Sequence, residues 1–306
     1  MSEYAIYDVF TDQVFGGNPL AVVFDGGNYD DAQMQRIAHE FNLSETGFLC
    51  PTDTAGHSAR LRIFTPEREL PFAGHPTVGT AVALAERRMT EAMPNGGIDL
   101  VEVFEETVGP VRCAVRLAQG KPGFAEFDMP RLSQQIASEV AATDMAASLG
   151  VGAHEIGFEN HKVSIWSAGV PFVMVPVHDL SVAAKIRMDT RNWNKLAPEV
   201  DGIAADCFVY CRGGEHHEAA FHARMFAPSM GIIEDPATGA AVAALSGAIH
   251  HFDGLLDGHY PLMIEQGVEM GRPSHIHLHL DCAGGAVVHG RIGGHAVKVA
   301  EGRLMF

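Results

Sequence analysis

Three residues stand where a proton could be handled: Glu45, His75 and Asp235. Glu45 lies in Asn42-Leu-Ser-Glu-Thr46, just before the apolar pair Phe48-Leu49. A carboxylate at the mouth of an apolar strand is partly desolvated, which raises its pKa toward a useful acid/base range. Taken alone it reads first as a loop or capping carboxylate. His75 precedes Pro76 at a helix start, where a neutral imidazole can donate to a substrate or simply pack. Asp235 opens Asp235-Pro-Ala-Thr-Gly239, and an Asp at a helix N-terminus is most often a cap.

The elements that position these residues come in two matching sets. Arg62-Ile-Phe-Thr-Pro66 reads as a strand, Glu67 to Glu69 as a loop, and Gly74-His-Pro-Thr77 as the start of a helix running to about Arg88. Unpaired N–H groups at such a start can hold an anion. Arg224-Met-Phe-Ala-Pro228 echoes the strand, and Asp235-Pro-Ala-Thr-Gly-Ala-Ala241 echoes His75-Pro-Thr-Val-Gly-Thr-Ala81. Two ordered matches in register point to duplicated halves. In this register His75 corresponds to Asp235, and two facing helix N-termini define a cleft for a small anion.

The remaining segments fit around these. Strands are expected at 4–10, 20–24, 61–64, 101–104, 111–117, 125–129, 172–177, 207–211, 218–226, 276–280, 286–290 and 296–299. Helices are expected from Asp30 or Asp31 to Phe41, from about Ser133 to Leu149 with a break at Thr143-Asp144, and over most of Leu180 to Leu196. The helices from 81 and from 241 are apolar nearly all round, as a helix enclosed by sheet must be. Strands outnumber helices and no Gly-x-Gly-x-x-Gly follows a strand, so the class is α+β. Gln119-Gly-Lys-Pro-Gly123 is the candidate boundary between halves at 1–118 and 124–306, with the last strand near the C-terminus free to return to the first half.

The 306 residues are 47% hydrophobic and 19% charged, enough to bury real cores. The net charge of −17 argues against nucleic acid or an anionic membrane as partner. No apolar run reaches membrane-spanning length and no signal peptide opens the chain, so a cytoplasmic location is expected. Five scattered cysteines, none in a CxxC, offer neither a disulfide framework nor a zinc site, and Cys207 and Cys211 read as buried strand residues. His275-Ile-His-Leu-His279 puts three imidazoles on one strand face, where parallel side chains rarely converge on a metal, and His216-His217 and His250-His251 read as surface residues. Gln266-Gly-Val-Glu-Met-Gly-Arg-Pro-Ser274 is either a plain hairpin or a rim of the site. There is no Gly-x-Ser-x-Gly, P-loop or HExxH. No cofactor and no metal are expected.

Five ordered motifs resemble the PhzF family of phenazine-biosynthesis-type isomerases. These are Asp8-Val-Phe10 with Phe15-Gly-Gly-Asn-Pro-Leu-Ala-Val22; Asn42-Leu-Ser-Glu-Thr46; Arg62-Ile-Phe-Thr-Pro66 with Glu69-Leu-Pro-Phe-Ala-Gly-His-Pro-Thr77; Glu234-Asp-Pro-Ala-Thr-Gly239; and Gln266-Gly with Met270-Gly-Arg-Pro-Ser274. The resemblance implies a diaminopimelate epimerase-like fold: two pseudo-symmetric halves, each a curved, mostly antiparallel, barrel-like sheet around a central helix. It implies a cofactor-free isomerase and a homodimer. The residue matching Glu45 would move a proton along a conjugated system, and those matching His75 and Asp235, catalytic with it, would hold and polarise a carboxylate-bearing substrate and help shuttle protons. Asn18, Ser44, Gly74, Thr77, Thr238, Gly239 and Ala240 fall at implied substrate-binding positions. Ala240 stands where the family often has Ser, and a lost hydrogen bond to a charged group costs about 1.5–3 kcal/mol. The related two-cysteine epimerases have no counterpart here, since no cysteine lies in 65–80 or 227–240. A racemase using Glu45 and Asp235 as two bases, and a non-catalytic binding protein, are the rival readings.

Overall fold

A computed structural model of the chain describes residues 1–89, 96–137 and 140–305. It divides into two compact units, residues 1–130 with 293–306, and residues 131–292. The first unit holds β1 (Ser2–Val9), β2 (Asn18–Val23), α1 (Asp31–Phe41), β3 (Glu45–Cys50), β4 (Ala59–Phe64), β5 (Glu69–Leu70), α2 (Gly74–Arg88), β6 (Ile98–Glu106), β7 (Gly109–Leu117) and β8 (Gly123–Asp128). The second holds β9 (Gln134–Ile136), α3 (Ala142–Leu149), β10 (Ser164–Ser167), β11 (Pro171–Pro176), α4 (Leu180–Lys185), α5 (Thr190–Leu196), β12 (Glu199–Val200), β13 (Ile203–Ala204), β14 (Asp206–Arg212), β15 (Phe221–Ala227), β16 (Ile232–Asp235), α6 (Gly239–Asp253), β17 (Gly258–Gln266) and β18 (Ser274–Ala283). The last strand, β19 (Ala286–Leu304), begins in the second unit and ends in the first. No helix among the described residues is long and apolar enough to cross a membrane.

In the first unit β1 to β4 pair in sequence: β1–β2 antiparallel, β2–β3 parallel, β3–β4 antiparallel. β4 then pairs parallel with β6, which continues antiparallel to β7 and β8. The C-terminal part of β19 runs antiparallel to β1, with Ser2 opposite Leu304 and Val9 opposite Ala296. Because β19 also pairs with β8, the ring closes. Inside the ring lies α2, whose residues from Gly74 to Ala85 are all buried and whose charges wait until Glu86-Arg87-Arg88. An all-round apolar helix is stable only in such an enclosure. Its fit is close: a Cβ at Gly79 would come within 2.6 Å of Leu20 and Val9 side chains.

The second unit repeats this plan. β10–β11 is antiparallel, β11–β14 parallel, β14–β15 antiparallel, β15–β17 parallel and β17–β18 antiparallel. The order of pairing directions matches that of β1, β2, β3, β4, β6 and β7. A short strand doubles back on the strand before each central helix, β5 on β4 and β16 on β15. The architecture is thus α+β with two pseudo-symmetric halves, each a curved, mostly antiparallel sheet with its own central helix. The core beside β11 and β14 is filled by Trp193, Met145, Leu149, Val173, Val175 and Val209.

Some expectations shift. The 119–123 break is a hairpin turn, since β7 and β8 pair across it with Cys113 opposite Phe127, and residues 123–130 therefore stay with the first unit. The helix expected from about Ser133 is short: 134–136 is a strand paired with β10, residues 138 and 139 lie outside the described residues, and α3 begins only at Ala142, with Asp144 inside its first turn. The helix over 180–196 is two helices, because Asp189 ends the linker after α4 and caps α5 through the amides of Arg191 and Asn192. The two strands expected between 286 and 299 are one continuous strand.

Candidate active site

In the first unit, one end of the ring carries the starts of β2, β3 and α2. Asp30 and Gln33 form a capping box that fixes where α1 begins. Asn42, in the left-handed conformation at φ 51°, ends α1 and turns the chain through Ser44 into β3. Glu45 is the first residue of β3 and lies in register with Leu20 of β2. His75 is the second residue of α2. Its Nδ1 lies 3.3 Å from Oε2 of Glu45.

The two side chains differ in surroundings. Glu45 is partly buried, whereas the His75 side chain is 4% exposed. Burial pushes the His75 pKa down to about 3, against the opposing pull of the Pro19 carbonyl. His75 is therefore a neutral imidazole near neutral pH, able to donate from one nitrogen and accept at the other. The positive end of α2 faces the same region and favours an anion there. Together they give a carboxylate that can take up and return a proton, beside an imidazole that does not itself charge.

Other first-unit candidates are placed as follows. Asn18 opens β2 opposite Val9 and is fully buried. Ser44 is half-buried in the turn before Glu45, and Gly74 is the buried first residue of α2. The Thr77 hydroxyl faces inward, 2.8 Å from the Ala73 carbonyl and 2.9 Å from Oε1 of Glu106. It thus braces the start of α2 from within. Glu106 was not a sequence candidate. In β6 the buried set is Glu102, Phe104 and Glu106, and Val101 is 52% exposed. Arg88 pairs with both oxygens of Glu102 at 3.0 and 2.7 Å, which makes the charged face tolerable inside.

In the second unit Asp235 is the buried last residue of β16, not part of a helix. The sequence register that matched it to His75 is therefore corrected by five residues: Gly74 and Gly239 begin the two central helices, and His75 corresponds to Ala240. The Arg-x-Phe repeat explains the slip. Arg62 grips Glu69 through Nε and Nη2 at 2.7 Å each, and Arg224 grips Glu234 the same way at 2.8 and 2.9 Å. Each guanidinium also lies over the ring two residues on, Phe64 at 5.1 Å and Phe226 at 5.0 Å. A 3-10 turn, Pro228–Met230, lengthens only the second copy of the connection.

Thr238 is the N-cap of α6, yet its hydroxyl donates to Oδ2 of Asp235 and accepts from no helix N–H. Gly239 and half-buried Ala240 follow as the first two helical residues. Gln266 ties the segment together. Its Nε2 donates to the Asp235 carbonyl at 2.7 Å and to Thr238 Oγ1 at 3.1 Å, and its Oε1 accepts from the Thr238 N–H at 3.1 Å. The Gln266-Gly stretch is thus a clasp on Asp235. A buried amide on a strand end leaves no periodic signal, so only the motif itself marked it. Elsewhere in this unit Glu159, His161 and Asp253 could reach one metal ion, but Arg212 Nη2 already lies 2.6 Å from both carboxylates.

Comparison with known proteins assigns the family. The model of the phenazine biosynthesis-like proteins, PhzC-PhzF, matches residues 7–302. An uncharacterized isomerase of Mesorhizobium japonicum is 53% identical over 302 residues, 98% of both chains. The trans-2,3-dihydro-3-hydroxyanthranilate isomerase of Pseudomonas aeruginosa is 33% identical over 99% of both. Among solved structures, the PhzF-family phenazine biosynthesis protein of Bacillus anthracis superposes with a TM-score of 0.87 at 24% identity, covering 100% of this chain and 99% of that one. The chain therefore belongs to the phenazine biosynthesis-like family, and it is an isomerase of that family.

Proposed function

We propose that this isomerase shifts a proton between carbons of a small, carboxylate-bearing, conjugated substrate, without a cofactor, using Glu45 as acid and base. The observation that carries the reading is Glu45 Oε2 at 3.3 Å from a buried, neutral His75 at the start of α2. The Glu45 carboxylate takes a proton from a substrate carbon, the π electrons move along the conjugated system, and the carboxylic acid returns the proton at another carbon. Atoms and charge balance within substrate and Glu45. His75 stays neutral because its imidazolium would be buried, and with its ring N–H given to the Pro19 carbonyl it serves as a fixed, uncharged wall that orients the substrate beside Glu45. Asp235 and the N–H groups of α6's first turn are assigned to holding the substrate's polar groups. Ala240 offers no hydroxyl for this, so backbone donors carry the anion.

The natural first substrate to try is trans-2,3-dihydro-3-hydroxyanthranilate, on which the Pseudomonas aeruginosa relative is named to act. In D2O, turnover should place solvent deuterium on carbon in the product. Glu45→Gln should slow this by about 10²- to 10⁴-fold with an unchanged thermal melt. Full exchange in that variant would remove Glu45 from the role. Absence of turnover by the natural chain would reject this substrate, and a melting-temperature screen of small cyclic carboxylates would then seek another. Assembly as a homodimer is part of the same proposal, and sedimentation equilibrium reads it directly.

A further inference from the structure

A buried ionic bridge stands behind the Asp235 segment. His222, on β15, has a side chain only 2% exposed. Its Nδ1 lies 2.7 Å from Oε2 of Glu265, and its Nε2 lies 3.0 Å from Oε1 of Glu269. Glu265 immediately precedes Gln266 and also accepts from the amides of Glu215 and His216 at 2.8 and 2.7 Å. Glu269 sits on the 3-10 turn Val268–Met270 just beyond Gly267. The one imidazole thus ties down both sides of the two residues that touch the Asp235 loop. Gly267 adopts φ +78°, and a Cβ there would meet the Pro236 carbonyl at 2.6 Å, so this turn lies directly against that loop.

We propose that His222 is a positioning residue for the Asp235–Thr238 segment: as an imidazolium bridging Glu265 and Glu269, it fixes the turn from which Gln266 holds Asp235 and Thr238. The reading of Asp235 as a site residue, made above, is what gives this positioning its functional meaning. Two acidic partners make the charged ring the favoured state. Burial works against the charge, but the two carboxylates outweigh it and bring the His222 pKa to about 9, while both Glu265 and Glu269 are held below their ordinary range. Among the described residues, other ionisable groups around the bridge include Arg224, 3.9 Å from Glu269 and paired with Glu234, Cys211 opposite His222 on β14, His275 opposite Glu265 on β18, and His216, whose ring lies 4.7 Å from that of His275. Loss of the proton leaves two buried carboxylates facing a neutral ring, and the clasp loosens.

Nuclear magnetic resonance of the intact, 15N-labelled chain tests this without substrate. The Thr238 backbone amide and the Gln266 side-chain amide should shift with the same pH midpoint as the His222 ring nitrogens. Glu269→Gln keeps the shape but removes one charge, and should lower all three midpoints together by about one pH unit or more. His222→Phe should abolish the shared transition, and if that variant fails to fold, the Glu269→Gln comparison still decides. A His222 titration that leaves the Thr238 and Gln266 signals still, or moves them at a different midpoint, overturns the proposal. Turnover of Asp235→Asn separates the two readings. Unchanged turnover with the shared transition intact would reject the role given to Asp235 and leave the positioning standing; lost turnover with no shared transition would do the reverse.

Discussion

At the scale of single residues, the environment decides what each titratable group can do. His75 and His222 share a side chain and burial but differ in partners. His75 has one partly buried carboxylate at 3.3 Å and is kept neutral, with a pKa of about 3; His222 has two carboxylates within 3.0 Å and is kept charged, with a pKa of about 9. Glu106 shows the carboxylate version. It is buried and its pKa is pushed up to about 8, only partly offset by the Thr77 hydroxyl. The folded chain therefore keeps a proton on Glu106 at pH values where the unfolded chain, near 4.5, has lost it. The unfolded state binds fewer protons in this window, so stability falls as pH rises from about 4.5 to 8. Glu106→Gln cannot ionise and escapes this loss. Urea unfolding should show the variant close to the natural chain near pH 4.5 and progressively more stable toward pH 8. A difference that stays constant across that range would show that Glu106 is ionised in the fold.

At the scale of elements, the Gln266-Gly267 turn shows what a motif can hide. Gly267 lies at a positive φ with carbonyls of Arg272 and Pro236 within 2.6 Å of a would-be Cβ. Gly267→Ala should cost more than about 1 kcal/mol, through strain and displacement of the clasp. Thermal melts would register the cost, and amide exchange at Thr238 would accelerate if the clasp is what moves. Unchanged exchange would mean that Gln266 does not depend on this turn. Much of the rest was legible from sequence. Asp30 capped α1 as its type and position require, Cys207 and Cys211 are buried strand residues, and the apolar run from Ala81 is an enclosed helix. The misses have physical causes. Polar side chains that satisfy one another inside, such as Glu102 with Arg88, leave no apolar signal to read. A three-residue insertion shifts the repeat, and the Pro-x-x-Gly letters slip two residues further, so they matched Asp235 to His75 while the Arg–Glu clamps match Gly239 to Gly74. The Gln266 amide joins segments 28 and 31 residues apart, beyond any local pattern.

At the scale of the whole molecule, these groups set the pH range over which the chain is stable. His75 has a folded pKa of about 3 against an ordinary 6.5. Below pH 6.5 the unfolded state binds the extra proton, so stability falls as pH drops toward 3. His222 has the opposite sign. Its folded pKa of about 9 exceeds 6.5, so its contribution is complete below pH 6.5 and is lost as pH rises to 9. Glu106 removes stability from 4.5 to 8, in the same direction as His222 and against His75. Between about 4.5 and 6.5 the slopes from Glu106 and His75 oppose each other, and above 6.5 Glu106 and His222 act together. The net charge of −17 grows more negative in the same alkaline range and adds self-repulsion there. The melting temperature should therefore be nearly flat from about pH 4.5 to 6.5 and fall on both sides, with the alkaline limb extending to about 9. Glu106→Gln should make that limb shallower below pH 8, where His222 still titrates, and leave the part above it in place, because only His222 titrates there among the three. A variant whose alkaline limb is unchanged, or vanishes throughout, would show that the loss is not divided between these two groups.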